Sequence, residues 1–215
     1  RREGLAIGRR QVATLMRRMG LEAIYRRPRT SDKHPGHKVF PYLLRNVVIK
    51  RANQVWALDT TYVPMARGFV YLTAVIDVAS RCVLAHRVAT TLEACHAVEA
   101  LEQAFACYGT PEIVNTDQGS QFTAEVFVDT VLKRGSEMSM DGRGAWRDNV
   151  FVERLWRTIK YEEIYLKAYD SVAEARQSIG RFIDWYNQGR PHNAVDRRPP
   201  MTAYQALLPA PKLAA

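Results

Sequence analysis

Three carboxylates stand in the sequence at positions where metal or acid–base chemistry could take place. Asp59 lies in the middle of a predicted strand, residues 54–63, that is apolar on both faces. Asp117 follows a short predicted strand at residues 112–115 and opens a polar turn, and Glu153 lies in the first turns of a later predicted helix. A carboxylate inside an apolar strand is costly unless it is hydrogen-bonded, paired or bound to a metal. Asp59 is therefore the first candidate for a functional residue.

The three carboxylates could meet at one edge of a sheet. Functional groups in open α/β sheets gather beyond the carboxyl ends of the strands, which is where Asp117 would lie. Two aspartates and a glutamate offer only oxygen donors, which suit Mg²⁺ or Mn²⁺. Two such ions, about 3.5–4 Å apart, activate the attacking oxygen and stabilise the leaving oxygen in phosphodiester chemistry. The combination is more specific than any of its members.

Each acidic residue also has an ordinary structural explanation. Asp59 could be bonded to a neighbouring arginine, and Asp117 could cap a turn or a helix. Glu153 and Lys160, seven residues apart, point the same way on a helix, which a solvated helix face would explain equally well. Asp77 ends a second predicted strand before a turn, and we expect it to cap that turn.

A mixed sheet is predicted to position these residues. Three consecutive strands form an antiparallel meander, and strands that then alternate with helices add parallel neighbours. The fold class is α/β, with a mixed five-stranded sheet flanked by helices on both faces. The predicted elements are strands at 54–63, 69–78, 81–89, 112–115 and 136–140 and helices at 91–108, 122–133, 149–165 and 172–188.

The helix that would carry Glu153 has a clear inner stripe. At about 100° per residue, the core stripe consists of Val152, Leu155 and Ile159. An adjacent edge holds Asn149, Glu153, Trp156 and Lys160, with Arg157 just beyond it.

Positive charge is concentrated at the start of the chain. The 215 residues include 31 Lys and Arg against 22 Asp and Glu, a net charge of +9. Residues 1–54 hold 14 basic and three acidic residues, a net +11, and the rest hold 17 and 19, a net −2. Such an arm favours nucleic acid as partner, because it gains affinity by releasing counterions from phosphates. A solvated leader is the alternative.

Within this arm the spacing predicts a short amphipathic helix between Gly8 and Gly20. Its apolar side would hold Ile7, Val12, Leu15, Met16 and Met19, and its basic side Arg9, Arg10, Arg17 and Arg18. Such a helix would be the last one of a DNA-binding module that begins upstream. The first residue is Arg rather than Met, so we expect a longer product.

The sequence shows no sign of a membrane span, a secretion signal or a zinc site. No apolar run approaches the roughly 18 residues that a membrane span needs, and no secretion signal opens the chain. The three cysteines are widely spaced, so we expect them to be reduced and mostly buried rather than zinc ligands. The five histidines form no metal-binding array in the sequence.

The segments around the three carboxylates resemble the catalytic core of retroviral-integrase-like proteins. The resemblance rests on residues 56–62 (WALDTTY), 115–122 (NTDQGSQF) and 148–153 (DNVFVE), which match the first-Asp, second-Asp and Glu motifs. Between Asp117 and Glu153 lie 35 residues, the spacing of the integrase-type DDE signature.

Both ends of the chain are similar to bacterial insertion-sequence transposases of the OrfB type. Residues 185–187 (WYN), 190–192 (RPH), Pro199, Pro200 and Ala203 match the C-terminal box of that family. Residues 7–25 resemble the end of the helix-turn-helix segment that precedes the core.

The resemblance implies a ribonuclease-H-like fold and a DNA transposase that uses two Mg²⁺ or Mn²⁺ ions. It assigns Asp59, Asp117 and Glu153 as metal ligands and catalytic triad. Lys160 would contact DNA near the transposon end, with Arg157 beside it. The glycine-containing loop at residues 141–147 would be an active-site loop that touches DNA through Arg143 and Arg147.

Partners, domains and location follow from the same resemblance. The partners would be DNA, as transposon ends and target, a homo-oligomer on that DNA, and a regulatory protein from an upstream reading frame. The domains would be residues 1–25 (helix-turn-helix remnant), 26–53 (basic linker), 54–190 (catalytic core) and 191–215 (tail). The location would be the bacterial cytoplasm, at the nucleoid and away from membranes.

Two other functions stay open at this point. A ribonuclease-H-like nuclease would use the same metal pair with water in place of a DNA hydroxyl. A non-catalytic DNA-binding regulator would keep the fold without the chemistry.

Overall fold

A computed structural model describes residues 8–21, 39–142 and 150–209. The chain divides into two compact units, residues 1–36 and 37–215. In the first unit, α1 (Arg9–Arg18) begins after Gly8 and carries Arg17 and Arg18 in its last turn, where positive charge favours the helix dipole. The predicted amphipathic helix is confirmed, and its described apolar side chains are solvent-exposed, from Met16 at 38% to Met19 at 63%. Ile7, predicted on the same side, lies outside the described residues.

The second unit is built on the predicted mixed sheet of five strands. Strand order is β3-β2-β1-β4-β5, with β1, β2 and β3 antiparallel and with β4 and β5 joining β1 in parallel. The strands are β1 (Val55–Pro64), β2 (Phe69–Asp77), β3 (Val83–Ala89), β4 (Ile113–Thr116) and β5 (Glu137–Met140). The meander followed by parallel additions is confirmed.

Helices cover both faces of this sheet. They are α2 (Ala94–Tyr108), α3 (Ser120–Thr123), α4 (Glu125–Lys133), α5 (Val150–Glu162), α6 (Val172–Gln188) and α7 (Pro200–Leu207). Short 3₁₀ turns lie at Leu44–Asn46, Ile164–Leu166 and Asn193–Val195. No helix in the described ranges is long and apolar enough to cross a membrane.

The predicted single helix at 122–133 is wrong, because two helices meet there. Ala124 has an extended backbone, with φ −63° and ψ 138°, and separates α3 from α4. The Thr123 hydroxyl donates to the carbonyl of Gly119 at 3.1 Å, and such local bonds compete with helix continuation. The first helix therefore stops after one turn.

Two apolar layers hold the sheet in place. One packs β1 residues Val55 and Ala57 against α5 and α6, and it contains the predicted stripe of Val152, Leu155 and Ile159. The other packs Trp56 and Leu58 against α2 and α4. The alternation in β1 thus buries both faces of the strand, as its sequence predicts.

The three cysteines are free, as expected, but only Cys82 is buried. Cys95 and Cys107 are exposed, so the expectation that the cysteines are mostly buried is wrong for these two. Both lie on α2, whose buried side is formed by other residues of the helix, including Ala97, Ala100 and Leu101.

Candidate active site

Strand register places the two aspartates side by side. In the parallel pair of β1 and β4, Ala57 lies opposite Asn115. Asp59 lies two residues after Ala57 on β1, and Asp117 lies two residues after Asn115, just past the end of β4. Because parallel strands advance together, both carboxylates reach the same edge of the sheet.

Asp59 is held by a tryptophan rather than by an arginine. Its Oδ2 accepts a 2.7 Å hydrogen bond from Nε1 of Trp156, and its Oδ1 accepts one of 2.7 Å from the Thr60 amide. Trp156 lies on α5 and is only 6% exposed. The neighbouring-arginine explanation of Asp59 is therefore wrong, and the bond fastens α5 to the middle of β1.

The pKa of Asp59 is affected by the other two carboxylates. All its surroundings together raise it to about 6: burial is the largest cause, the Trp156 hydrogen bond opposes it, and the negative charges of Asp117 and Glu153 add to the increase. Like charges that disfavour each other's ionised form must lie close together. The structure therefore gathers negative charge around Asp59.

Asp117 is fixed by the glycine that follows it. Its Oδ1 accepts a 2.9 Å hydrogen bond from the Gly119 amide, and burial raises its pKa. The turn-capping role considered for Asp117 is thus confirmed for one of its two oxygens. A Cβ on residue 119 would lie 2.9 Å from this Oδ1 and 2.7 Å from Nε2 of Gln121, so a side chain at this position would displace the Asp117 carboxylate or the Gln121 amide.

Glu153 projects from the first turn of α5 and is exposed. Its side chain makes no hydrogen bond or ion pair with a described residue. It precedes Trp156 by one helical turn, so the residue that binds Asp59 also sets where Glu153 can reach.

Asp117 and Glu153 both interact electrostatically with Asp59, but the three carboxylates do not form a finished metal cage. Within the described residues, no group of three or more His, Cys, Asp or Glu is placed so that it could hold a metal ion. The donor chemistry nevertheless fits a hard divalent cation. All three groups are carboxylates, two have raised pKa values from burial, and no basic side chain of the described residues pairs with them.

A buried polar network supports the turn that carries Asp117. Nδ2 of Asn115 donates to Asp141 Oδ1 at 2.9 Å, and the Ser139 hydroxyl donates to Asn115 Oδ1 at 2.8 Å. Nε2 of Gln118 donates to the Asp141 carbonyl at 2.9 Å. The sequence analysis predicted neither this network nor the Trp156 bond, although it placed Trp156 on the same helix edge as Glu153.

The basic candidates are placed unevenly. Arg157 is exposed and Lys160 partly exposed on α5, and Arg10, Arg17 and Arg18 are exposed in the first unit. Arg143, Arg147 and the rest of their loop from residue 143 lie outside the described residues, as does the side chain of Arg9.

Asp77 does cap its turn, as predicted. Its Oδ1 accepts from the Ser80 amide at 2.8 Å and from the Ser80 hydroxyl at 2.6 Å, and its Oδ2 accepts from the Asn53 amide at 2.8 Å. This carboxylate is fully buried and satisfied, so it is not needed for the site.

Comparison with known proteins identifies the domain and the relatives of this chain. Models of the integrase core domain match residues 49–145 and 134–200. The transposase for insertion sequence element IS904 of Lactococcus lactis is 32% identical over 205 residues, covering 92% of this chain and 80% of that protein. The transposase for IS629 of Shigella sonnei is 30% identical over 208 residues, covering 95% and 70%.

The fold is shared with solved viral proteins. The catalytic core domain of HTLV-2 integrase, solved with magnesium, superposes with a TM-score of 0.58 at 19% identity, over 71% of this chain and 96% of that one. Retroviral integrase cores have a ribonuclease-H-like fold, and this sheet with its flanking helices has it as well. The chain therefore belongs to the insertion-sequence transposases, with an integrase core domain as its body.

Proposed function

We propose that this chain is a catalytically competent DNA transposase in which Asp59, Asp117 and Glu153 form the metal-holding triad. It would cut a DNA strand and join a DNA 3′-hydroxyl to a phosphodiester. The observation that carries the proposal is the register of β1 and β4, which aligns the two aspartates, together with the Trp156 bond that brings α5 over them. Family membership supports polynucleotidyl transfer as the class of reaction.

Divalent ions are part of the proposal. The related HTLV-2 integrase core was solved in complex with magnesium. Asp59 and Asp117 would hold the ions from the sheet, and Glu153 from α5. When bound, two Mg²⁺ or Mn²⁺ ions would supply Lewis-acid activation of the attacking oxygen and stabilisation of the leaving one.

The residues of this chain do the positioning. The indole of Trp156 holds one oxygen of Asp59, and the Gly119 amide holds one oxygen of Asp117, so each carboxylate presents a defined orientation. Partial burial of the two aspartates keeps water from screening their charge. Lys160 and Arg157, on the same helix as Glu153, would bind the DNA phosphates that flank the reacting one.

The surroundings of the reaction belong to the same proposal. Arg10, Arg17 and Arg18 would bind DNA by charge, and the active complex would be a homo-oligomer on paired ends. A regulatory protein from an upstream frame, the three boundaries after residues 25, 53 and 190 that separate the four domains, and a place at the bacterial nucleoid all stay predictions.

Strand joining on a labelled duplex tests the proposal. The duplex carries the terminal repeat of the element, with Mg²⁺ or Mn²⁺, and Asp117→Asn and EDTA are the inactive arms. Asp129→Asn is the matched control, because that carboxylate lies on α4 and pairs with Lys133 at 3.1 Å. Joined products that disappear with Asp117→Asn and EDTA but survive Asp129→Asn are expected.

The other outcomes separate the alternatives. Hydrolysis without joining would indicate the nuclease. Binding that ignores EDTA, with no strand breakage under any metal condition, would indicate the non-catalytic regulator and refute the triad.

A further inference from the structure

Two tyrosines that follow Glu153 on the same helix are left in solvent. Tyr161, near the end of α5, is 66% exposed, and Tyr165, in the 3₁₀ turn after it, is 55% exposed. Their ring centroids are 5.4 Å apart in an edge-to-face arrangement. Together they form a continuous aromatic surface, which the buried aromatics nearby, such as Tyr169 and Tyr186, do not.

Unpaired positive charge borders these rings. Arg154 and Arg157 are exposed, Lys160 is partly exposed, and none of the three forms an ion pair with a described residue. The neighbouring acid Glu162 is already bound by the guanidinium of Arg190, with contacts of 2.6 and 3.0 Å.

The positive charge of Arg154 acts on other basic groups and is not paired with an acid of the described residues. Burial lowers the pKa of Arg81, and the charge of Arg154 lowers it further. The same charge, after burial and the charges of Arg81 and Arg190, contributes to the lowered pKa of His192. This side of α5 therefore has a surplus of positive charge that an anionic partner would relieve.

We propose that this surface, named here the α5 platform and made of Arg154, Arg157, Lys160, Tyr161 and Tyr165, binds single-stranded DNA. The basic side chains would contact phosphates, and the tyrosine pair would stack on an unpaired base. The proposal rests on the proposed function, because it places this strand beside the helix that carries Glu153.

The helix geometry sets where along the strand the base would lie. At about 100° per residue, Glu153, Arg154, Arg157, Lys160 and Tyr161 fall within about 120° of one another around α5. Tyr161 is eight residues beyond Glu153, about 12 Å along the axis at about 1.5 Å per residue. Stacked nucleotides advance about 3.4 Å each, so the stacked base would lie about three to four nucleotides from the reacting phosphate, or fewer in a stretched strand.

DNA explains the platform better than a protein partner does. A protein interface of this kind places aromatic residues at its centre and is depleted of lysine. Here the rings stand beside three cations that no described acid neutralises, which is the combination used to bind single strands without sequence preference.

The test compares two oligonucleotides that have equal charge. One is a fluorescent 12-nucleotide thymidine strand, and the other has the same backbone with every base removed. Binding is measured in EDTA with the full chain, so no metal and no chemistry are needed. We expect the wild type to bind the thymidine strand about five- to 160-fold more tightly than the abasic strand, which is the contribution of one base stacked on aromatic side chains.

The variants assign that preference to the platform. Tyr161→Ala combined with Tyr165→Ala should remove most of it, while Tyr161→Phe with Tyr165→Phe should keep it. Tyr62→Ala is the matched control, since Tyr62 is 56% exposed and its ring packs against Phe69 and Tyr71 rather than against the platform tyrosines. Arg154→Gln with Arg157→Gln should weaken both strands equally and reduce the salt slope by about 0.7 per charge.

Several results would overturn the inference. One is a thymidine preference that survives the double alanine variant, and another is an equally large loss of that preference in Tyr62→Ala. A third is a double alanine variant that changes only the oligomeric state in sedimentation, which would indicate a protein interface. Circular dichroism of each variant shows that it is folded. A wild type that prefers thymidine but joins no DNA would refute the proposed function and leave the platform standing.

Discussion

Replacing Trp156 by phenylalanine tests whether the helix with Glu153 is coupled to Asp59 by one hydrogen bond. The substitution keeps an aromatic ring in the core and removes the Nε1–H that lies 2.7 Å from Asp59 Oδ2. A hydrogen bond to a charged group contributes about 1.5–3 kcal/mol, and the lost ring atoms contribute about 1 kcal/mol more. Because Trp156 is 6% exposed, water does not replace the donor freely. We expect a loss of about 2–4 kcal/mol in unfolding free energy.

The effect on catalysis is measured apart from this loss of stability. Side chains that orient a metal ligand typically change metal affinity or activity by about 10- to 100-fold when they are removed. We therefore expect the Mg²⁺ or Mn²⁺ concentration for half-maximal strand joining to rise by about 10- to 100-fold, with partial rescue at high metal. The assay is a metal titration of joining, together with urea unfolding to measure stability.

Trp185→Phe is the matched control. Trp185 lies on α6, is 49% exposed, and its indole N–H reaches no carboxylate among the described residues. Both its stability and its metal requirement should stay near those of the wild type. If Trp156→Phe lowers stability yet leaves the metal titration unchanged, Trp156 acts only in packing and the positioning argument fails.

Two further changes test other parts of the fold. Glu163 is 6% exposed, and its Oε1 accepts hydrogen bonds from Lys167 at 2.8 Å, Tyr169 at 3.0 Å and Ser178 at 2.6 Å. Burial raises the pKa of Glu163, but these hydrogen bonds outweigh burial, so the pKa is lowered. The stabilisation from ionised Glu163 is present above its unfolded pKa and is lost as pH falls through its folded pKa. Glu163→Gln should therefore cost about 2–4 kcal/mol of unfolding free energy at neutral pH and flatten the acid limb of a Tm-versus-pH curve. Exposed Glu137→Gln is the control, and an unchanged acid limb in Glu163→Gln would contradict this. Gly119→Ala should abolish strand joining, because the new Cβ meets the Asp117 carboxylate, and overpacking should lower the unfolding free energy by about 1–3 kcal/mol. The control is Gly180→Ala in α6, whose Cβ would lie 3.8 Å from its nearest neighbour, so that its stability should stay the same or increase. Full activity in Gly119→Ala would show that the Asp117 turn tolerates displacement.

The sheet could be predicted from sequence because its signals are local. Residues 54–63 are apolar on both faces, and only a strand with layers on both sides buries such a pattern. The stripe of Val152, Leu155 and Ile159 likewise identifies the buried face of α5. These patterns hold because hydrophobic burial depends on residue type and period more than on the identity of the partner.

What could not be predicted depends on contacts between distant residues. The sequence reveals nothing that pairs Trp156 with Asp59, since 97 positions separate them and a tryptophan beside a core stripe indicates packing. Helix α7 was missed although Pro200 stands at its first turn, a frequent place for proline. The α3–α4 break depends on the extended backbone of Ala124, a residue type that favours helix.

The same contacts make stability and chemistry inseparable at α5. Val152 and Ile159 are fully buried against the sheet, and this packing determines where the helix crosses β1. Trp156 packs in that layer and also donates a hydrogen bond to Asp59, so the packing of the core determines how the Asp59 carboxylate is held. Glu153 lies one turn earlier and has no described bond of its own, so its position depends on that packing. A core substitution that rotates α5 by a fraction of a turn should therefore displace Glu153 without touching any carboxylate.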